Sequence, residues 1–496
     1  MSSDARTNGS SSPIYRIAKK VSLESSNSRW RDILEHSLLL KPFLAISNLL
    51  AGAKSTPLPR IGTLLQRLSF GLSLLLFVLV GMHNFVEDKY KLAIVVLVSL
   101  ALFILGRLMQ GEERRAMDAY DGVVLAYFAA NIVAAFASHY FAPSLKGLSK
   151  VAVFIASYFL FTANLNGSMK RKLFISTVAI ATGTALSLYG LYQYKIGVAP
   201  LATWEDPTIE SSGTRIFATL DNPNLLAGFL VPLVPLSLGI SLGWLERKNY
   251  LVFAAFLAVS ALIGVATLLT GSRGGMLGLI AGVGAILYIG TARLWKKWPG
   301  KRAFILGGIA ILLGGAVVAA TTVPFVSQRF ESIFAGREHS SNAYRMNVYA
   351  SSFKMFKDSW WIGCGPGNET FRLAYGLYMV SSYDALGTYC VPLEVAVETG
   401  VPGLAAFALL ILCALSRGHL KFWKNGEAGQ PEINPLSRWM AGAAAAAVIA
   451  MMIHGLGDTV FYRPQVHFLF WLIVAILISE DTPKPGVARD NSISPS

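Results

Sequence analysis

The stretch YLVFAAFLAVSALIGVATLLTGSRGGMLGLIAGVGAILYIGTA, from Tyr250 to Ala292, decides the fold. It contains two apolar runs, Tyr250–Thr270 and Gly275–Ala292. Its only charged residue is Arg273, in the turn Gly271-Ser272-Arg273-Gly274-Gly275 between them. An uncharged apolar run of about 17–25 residues crosses a bilayer as a helix, because lipid offers backbone amides no partner outside the segment. The stretch therefore reads as a transmembrane hairpin with an arginine at its tip.

Ten further runs share this character: Leu64–Met82, Leu92–Gly106, Gly122–Ser138, Val151–Ala163, Leu173–Tyr192, Leu225–Leu245, Ala303–Val323, Val401–Leu415, Met440–Leu456 and Val466–Ile478. Composition agrees with a polytopic, all-α membrane protein. Of the 496 residues, 54 % are hydrophobic and 14 % charged, against about 25 % charged in soluble domains. Mean hydropathy is +0.52. A formal charge of +15 in so apolar a chain argues against nucleic acid as a partner. Cys364, Cys390 and Cys413 have no metal-ligand spacing, so no metal site and no cofactor is expected.

The basic residues set the orientation. With the N-terminus cytoplasmic, the inside segments hold 29 basic and 13 acidic residues, and the outside segments 14 of each. The expectation is twelve spans in the plasma (inner) membrane with both termini cytoplasmic. Residues 1–60 form a cytoplasmic tail. Within it, 1–28 are Ser-rich and read as unstructured, with no apolar core of a signal peptide. Residues 29–54 read as an interfacial amphipathic helix or a linker. Residues 61–480 make the membrane domain and 481–496 a cytoplasmic tail. No internal repeat is evident.

Two outside segments are large, 193–224 and 324–400. Long ordered loops usually serve function. The second shows helical periodicity over Ala343–Ser359, then Trp360-Trp361, a Gly-rich turn at 363–367, a helix-like stretch Glu369–Met379 and another at Leu386–Thr399. The two tryptophans read as an interfacial anchor in preference to a ligand-stacking pair.

Three outside arginines stand in Gly- or Asn-rich contexts: Arg215 before Asp221-Asn222-Pro223-Asn224, Arg273 in its turn, and Arg345 in Asn342-Ala343-Tyr344-Arg345. A guanidinium stays charged and offers a planar fork that suits phosphate. Any one of them reads equally as a snorkelling side chain or half of an ion pair. The three together read as an anion site. His454 and Asp458, four residues apart at the end of a span, make either a base with its orienting partner or a structural pair. Buried carboxylates of the kind ion pumps use are scarce, with Asp121 alone placed in a span.

The order of these features resembles the O-antigen ligase and polymerase superfamily, of the WaaL and Wzy type. The features are Arg with Asn-Pro-Asn, Ser-Arg-Gly between two spans, and a large loop ending in Glu398-Thr399-Gly400-Val401-Pro402-Gly403. The runs Asp221–Gly228, Val391–Gly400 and His454–Pro464 look closest to the cyanobacterial IctB branch. The resemblance covers about residues 60–480. It implies a GT-C-like helical fold that moves a glycan from an undecaprenyl-diphosphate carrier to an acceptor hydroxyl at the periplasmic face, as a metal-independent glycosyltransferase. By it, Arg215 and Arg273 would bind diphosphate, with Arg345 a further candidate, and Asn222, Asn224 and Glu398 would belong to the substrate loops. Ligases carry a His-Asn pair shortly before the Glu. Here those positions are Tyr389-Cys390, and a phenol with a pKa near 10 is a poor base at neutral pH. The catalytic candidates are thus His454, Asp458 and Tyr389. Either His454 takes over, or proton removal is not limiting, or the chain is not a ligase. The IctB branch was named for bicarbonate transport, so a bicarbonate transporter, or a non-catalytic subunit with a second membrane protein as partner, is the alternative.

Overall fold

The computed structural model describes residues 13–26, 58–82, 89–110, 118–198, 214–303, 306–307, 324–338, 340–380, 383–424 and 434–481. Among them are fifteen α-helices and no strand. A short helix, α1 (Pro13–Val21), precedes the bundle. The bundle begins with α2 (Leu58–Leu79), α3 (Lys89–Gln110), α4 (Ala119–Ala137), α5 (Phe141–Leu165) and α6 (Met169–Ile196). It continues with α7 (Pro223–Glu246), α8 (Tyr250–Leu269) and α9 (Arg273–Lys297). The loop helices are α10 (Pro324–Glu331), α11 (Ser340–Asp358) and α12 (Asn368–Tyr375). The bundle closes with α13 (Val391–Trp423), α14 (Pro435–His454) and α15 (Pro464–Ile478). Ten of these are long and apolar enough to cross a membrane, and the chain is a multi-pass membrane protein.

Eleven expected spans coincide with described helices, most of them longer than their apolar cores. The expected ninth, Ala303–Val323, lies outside the described residues apart from 303 and 306–307. Its flanks sit at opposite ends of the bundle. Lys297 pairs with Glu246 at one end, and Phe325 packs beneath Gly271 at the other. The possible interfacial helix at 29–54 and the tail 482–496 also lie outside the described residues.

Two readings are corrected. Residues 13–21, read as unstructured, form α1. The carbonyls that follow it are taken by α13: Cys413 Sγ donates to Val21 (2.9 Å) and Arg417 Nε to Ser22 (3.1 Å). Tertiary contacts here order a segment whose composition alone is that of a linker. The helix expected at Leu386–Thr399 starts at Val391 and is continuous with the tenth span as α13, kinked at Gly400 (φ +65°).

α7 is the axis of the bundle and is buried along nearly its whole length, with α14 and α15 against it. Lipid provides no hydrophobic drive between helices, so close packing and polar contacts hold them. The glycines of α9 let α14 approach: a Cβ at Gly278 would lie 2.7 Å from the Ala450 carbonyl oxygen. Ser237 and Ser241 of α7 donate to carbonyls of Phe256 and Phe253 on α8 (2.9 and 2.7 Å), and Ser260 returns a bond to Val234 (3.0 Å). α15 has only 15 residues, about 22 Å of helix. It lies inside the protein, so it need not match the lipid thickness.

Charge collects at the two ends. At the end bearing the basic loops, Glu246 accepts from Arg293 (2.5 and 3.0 Å), Lys297 (2.6 Å) and the indole of Trp439 (2.7 Å). Arg417 forms a two-pronged pair with Asp118, and Lys172 reaches Asp481 (2.5 Å). The opposite end carries the described segments 214–222, 270–272, 324–338, 340–380, 383–390 and 455–463. Breaking a buried pair leaves its partner uncompensated, at about 3–5 kcal/mol. Glu246→Ala orphans two cations and an indole N–H, so its unfolding temperature in detergent should fall clearly below wild type. An unchanged melt would show that the cluster adds no stability.

Candidate functional site

At the loop-bearing end, the first turns of α7 and α9 face the same space. Asn222 caps α7, its side-chain oxygen accepting from Asn224 N (2.8 Å) and Leu225 N (3.1 Å). Ser272 caps α9 by accepting from Gly275 N (3.2 Å). Capped helix starts present a partial positive charge. Gly271, in the turn before α9, holds φ +62°; a Cβ there would lie 2.7 Å from the Phe325 ring and 3.3 Å from Arg215 Nε. Only glycine fits both the conformation and the space.

Arg215 ties the two starts together. Its Nε donates to the Thr270 carbonyl (2.9 Å) and its terminal nitrogen to Asn224 Oδ1 (2.9 Å). Gln193 at the end of α6 fixes the segment carrying it, accepting from Phe217 N (3.2 Å) and Ala218 N (2.7 Å). Arg273 is held from the large loop by the Ser332 carbonyl (3.2 Å), Asn342 Oδ1 (2.5 Å) and the Ser341 hydroxyl (2.8 Å). These acceptors are neutral. They aim the guanidinium without cancelling its charge. Arg345 and Arg329 both lie within electrostatic range of it.

Arg345, on α11, reaches Asp458 Oδ2 at 3.4 Å and lies 5.7 Å from the centre of the Tyr389 ring. Asp458 Oδ1 caps Val460 N (3.1 Å). His454 ends α14 and is 3 % exposed. Its imidazole lies against glycines of both helix starts, where a Cβ would come to 3.2 Å at Gly228 and 2.8 Å at Gly274. Its Nε2 has no hydrogen-bond partner among the described residues. No hydrogen bond joins His454 to Asp458, although Asp458 lies within electrostatic range.

Tyr389 sits in the left-handed region (φ +58°), its carbonyl accepting from the Tyr349 hydroxyl (3.2 Å). Burial pushes its phenol well above the usual value, and Tyr344 and Asp458 push the same way against Arg345. The side chain is therefore a neutral hydroxyl at physiological pH.

Arg273, Arg345, His454, Asp458 and Tyr389 thus stand around one space, and Arg215 with Asn224 adjoins it through the 270–272 turn. Asn222 contributes as a helix cap. Glu398 lies elsewhere: its carboxylate accepts from Gly367 N (2.8 Å) and its carbonyl from Gly365 N (3.0 Å), bracing the Gly-rich turn. The sequence reading passed over Ser332, Ser341 and Asn342, which aim Arg273. Asn342 was visible as a polar residue three positions before Arg345 on one helix face. It also passed over Arg463, exposed and within electrostatic range of Asp458. No cluster of three or more metal-ligating side chains occurs among the described residues.

These features define a multi-pass helical membrane protein in which arginines gather where helix starts meet a large loop. Residues 256–408 match the family described as O-antigen ligase, a span that holds Arg273, Arg345, Tyr389 and Glu398 and leaves out Arg215 and His454. The teichuronic acid biosynthesis protein TuaE of Bacillus subtilis (strain 168) is 23 % identical over 256 residues. That alignment takes in 48 % of each chain, so this protein spans about half the length of the curated relative. Both matches support a relationship to the O-antigen ligase and polymerase superfamily.

The state of Tyr389 has a kinetic consequence. A phenol with a raised pKa keeps its proton from pH 6 to 9, so Tyr389→Phe should leave the shape of the pH–rate profile over that range intact. Loss of an ionisation from the profile would identify the phenol as the proton acceptor.

Proposed function

We infer that this protein transfers or polymerises a glycan carried on polyprenyl diphosphate, at the periplasmic face of the plasma membrane. The observation that carries this reading is Arg273, a guanidinium at a helix start oriented by three neutral oxygens. A diphosphate leaving group gains negative charge as the glycosidic bond breaks. Preorganised donors aimed at that charge lower the barrier. The excess of Lys and Arg at the other end of the bundle supports a periplasmic site and cytoplasmic termini.

In this reading Arg215 and Arg273 hold the diphosphate of an undecaprenyl-type carrier, assisted by the starts of α7 and α9. The acceptor hydroxyl oxygen attacks the anomeric carbon, and the bond to the diphosphate breaks with its electron pair on the departing oxygen. The hydroxyl proton passes to His454, whose Nε2 is unpartnered. Asp458 lies within electrostatic range of the ring and also receives Arg345. Asn224 keeps Arg215 in place, and Asn222 keeps the start of α7. Glu398 acts indirectly, by holding the turn against which the loop is built. Within the superfamily we place the chain nearest the IctB branch, on the runs 221–228, 391–400 and 454–464.

The test uses full-length protein in lipid nanodiscs with a polyprenyl-diphosphate oligosaccharide and an acceptor glycan. Wild type should release polyprenyl diphosphate with formation of a longer glycan. Arg273→Ala should lower kcat/KM by roughly 100-fold or more, the scale set by removal of one transition-state donor. Arg273→Lys should recover only part, since an ammonium lacks the fork. Wild-type liposomes showing saturable bicarbonate uptake, with no glycan transfer by the nanodisc protein, would replace this reading with the transporter.

A further inference from the structure

A second group of side chains adjoins the diphosphate arginines without serving them. Tyr344, Tyr383 and Tyr389 form a continuous set of rings, with Tyr344 5.7 Å from Tyr389 and 5.8 Å from Tyr383. The Arg345 guanidinium lies over the Tyr389 ring and reaches Asp458 at 3.4 Å. Arg463, at the start of α15, is exposed and within electrostatic range of the same carboxylate. Its guanidinium has no hydrogen bond or ion pair among the described residues. One carboxylate, Asp458, thus stands between two guanidiniums, Arg345 and Arg463, and leaves one positive charge in excess.

Rings beside a pair of guanidiniums that one carboxylate only half neutralises supply the two elements that an acidic sugar requires. The C–H face of a pyranose packs on an aromatic ring. Its carboxylate takes the two-pronged donor of an arginine. A neutral sugar would use the rings and leave the charge unanswered. We propose that Arg345, Arg463 and the tyrosine set form a subsite for a carboxylate-bearing sugar of the glycan undergoing transfer. This rests on the glycan-transfer reading and adds the class of sugar. Asp458 then has a second use: it spaces the two guanidiniums and rejects an anion too large to fit between them.

The experiment compares two synthetic polyprenyl-diphosphate disaccharides that differ only in the terminal residue, glucuronate in one and glucose in the other. Full-length protein is used in phosphatidylcholine nanodiscs and again with phosphatidylglycerol added. Wild type should favour the glucuronate donor by about tenfold or more in kcat/KM. Arg463→Ala should bring the ratio of the two close to one, and Arg463→Lys should restore part of it. In parallel, soluble glucuronate-terminated disaccharide should bind the nanodisc protein more tightly than its glucose counterpart by calorimetry, and Arg463→Ala should remove the difference. Turnover without preference for the uronate would overturn this proposal and leave glycan transfer standing. No turnover of either donor, with uronate binding retained, would sink the transfer reading alone. An effect of Arg463→Ala that follows phosphatidylglycerol content and ignores the carboxylate would assign this arginine to a lipid headgroup and overturn the subsite.

Discussion

The structure depends on one constraint. In a bilayer, backbone amides and charged groups must find partners inside the protein or move to the membrane surface. Helices satisfy their own amides except at their ends, so every unsatisfied donor and nearly every charge is driven to one end of the bundle or the other. At the basic end, the charges neutralise each other in clusters such as Glu246 with Arg293 and Lys297. At the loop end, Arg273 is met by amide, carbonyl and hydroxyl oxygens, and the starts of α7 and α9 lie beside it. The same physical pressure thus gives charges that cancel one another on one side and a guanidinium held by neutral oxygens on the other.

The large loop can complete that site only if it is held to the bundle. Backbone geometry does much of this. Gly363 and Gly400 both have positive φ, and a Cβ on either would strike backbone atoms of the other strand of contact. Cys364 N donates to the Val397 carbonyl (2.9 Å), Gly365 N to that of Glu398 (3.0 Å) and Val401 N to that of Trp360 (2.8 Å). These bonds clamp the turn after α11 to the kink of α13. The clamp fixes one end of α11, and the Arg273 contacts to Ser341 and Asn342 fix the other. Arg345 rides between them.

The spans were legible because each is a local property: an apolar run with at most one charged residue. The breadth of one loop helix also followed from local periodicity, with Ala343–Ser359 close to the observed Ser340–Asp358. What the sequence withheld is long-range. Nothing near Pro13 announces that Arg417 will bind the carbonyl of Ser22, and nothing near Ser332 announces that its carbonyl will receive Arg273. The arginines themselves were found by context, since Arg215, Arg273 and Arg345 each stand among Gly or Asn. Arg463 was quoted within a motif and passed over, because its neighbours are aromatic and proline. The bracing use of Glu398 was hidden because its partner, Gly367 N, is a backbone group on a different turn.

The substitution of Tyr389 for the ligase histidine bears on how labour is divided in the proposed reaction. A base at position 389 would ride on the loop, in a turn strained by a positive φ, and its distance from the leaving group would vary with loop position. His454 belongs to the bundle. Its ring is packed against Gly228 of α7 and Gly274 of α9, the same two helices whose starts would face the diphosphate in the proposed reaction. Proton acceptor and leaving-group site are thereby carried on one rigid frame, the arrangement that keeps reacting groups within the tolerance chemistry demands. In the proposed division the loop is left with Arg345 and the tyrosines, to which recognition would fall. The loop also aims Arg273, through Ser332, Ser341 and Asn342, so its clamp to the bundle is needed to keep that guanidinium fixed relative to His454.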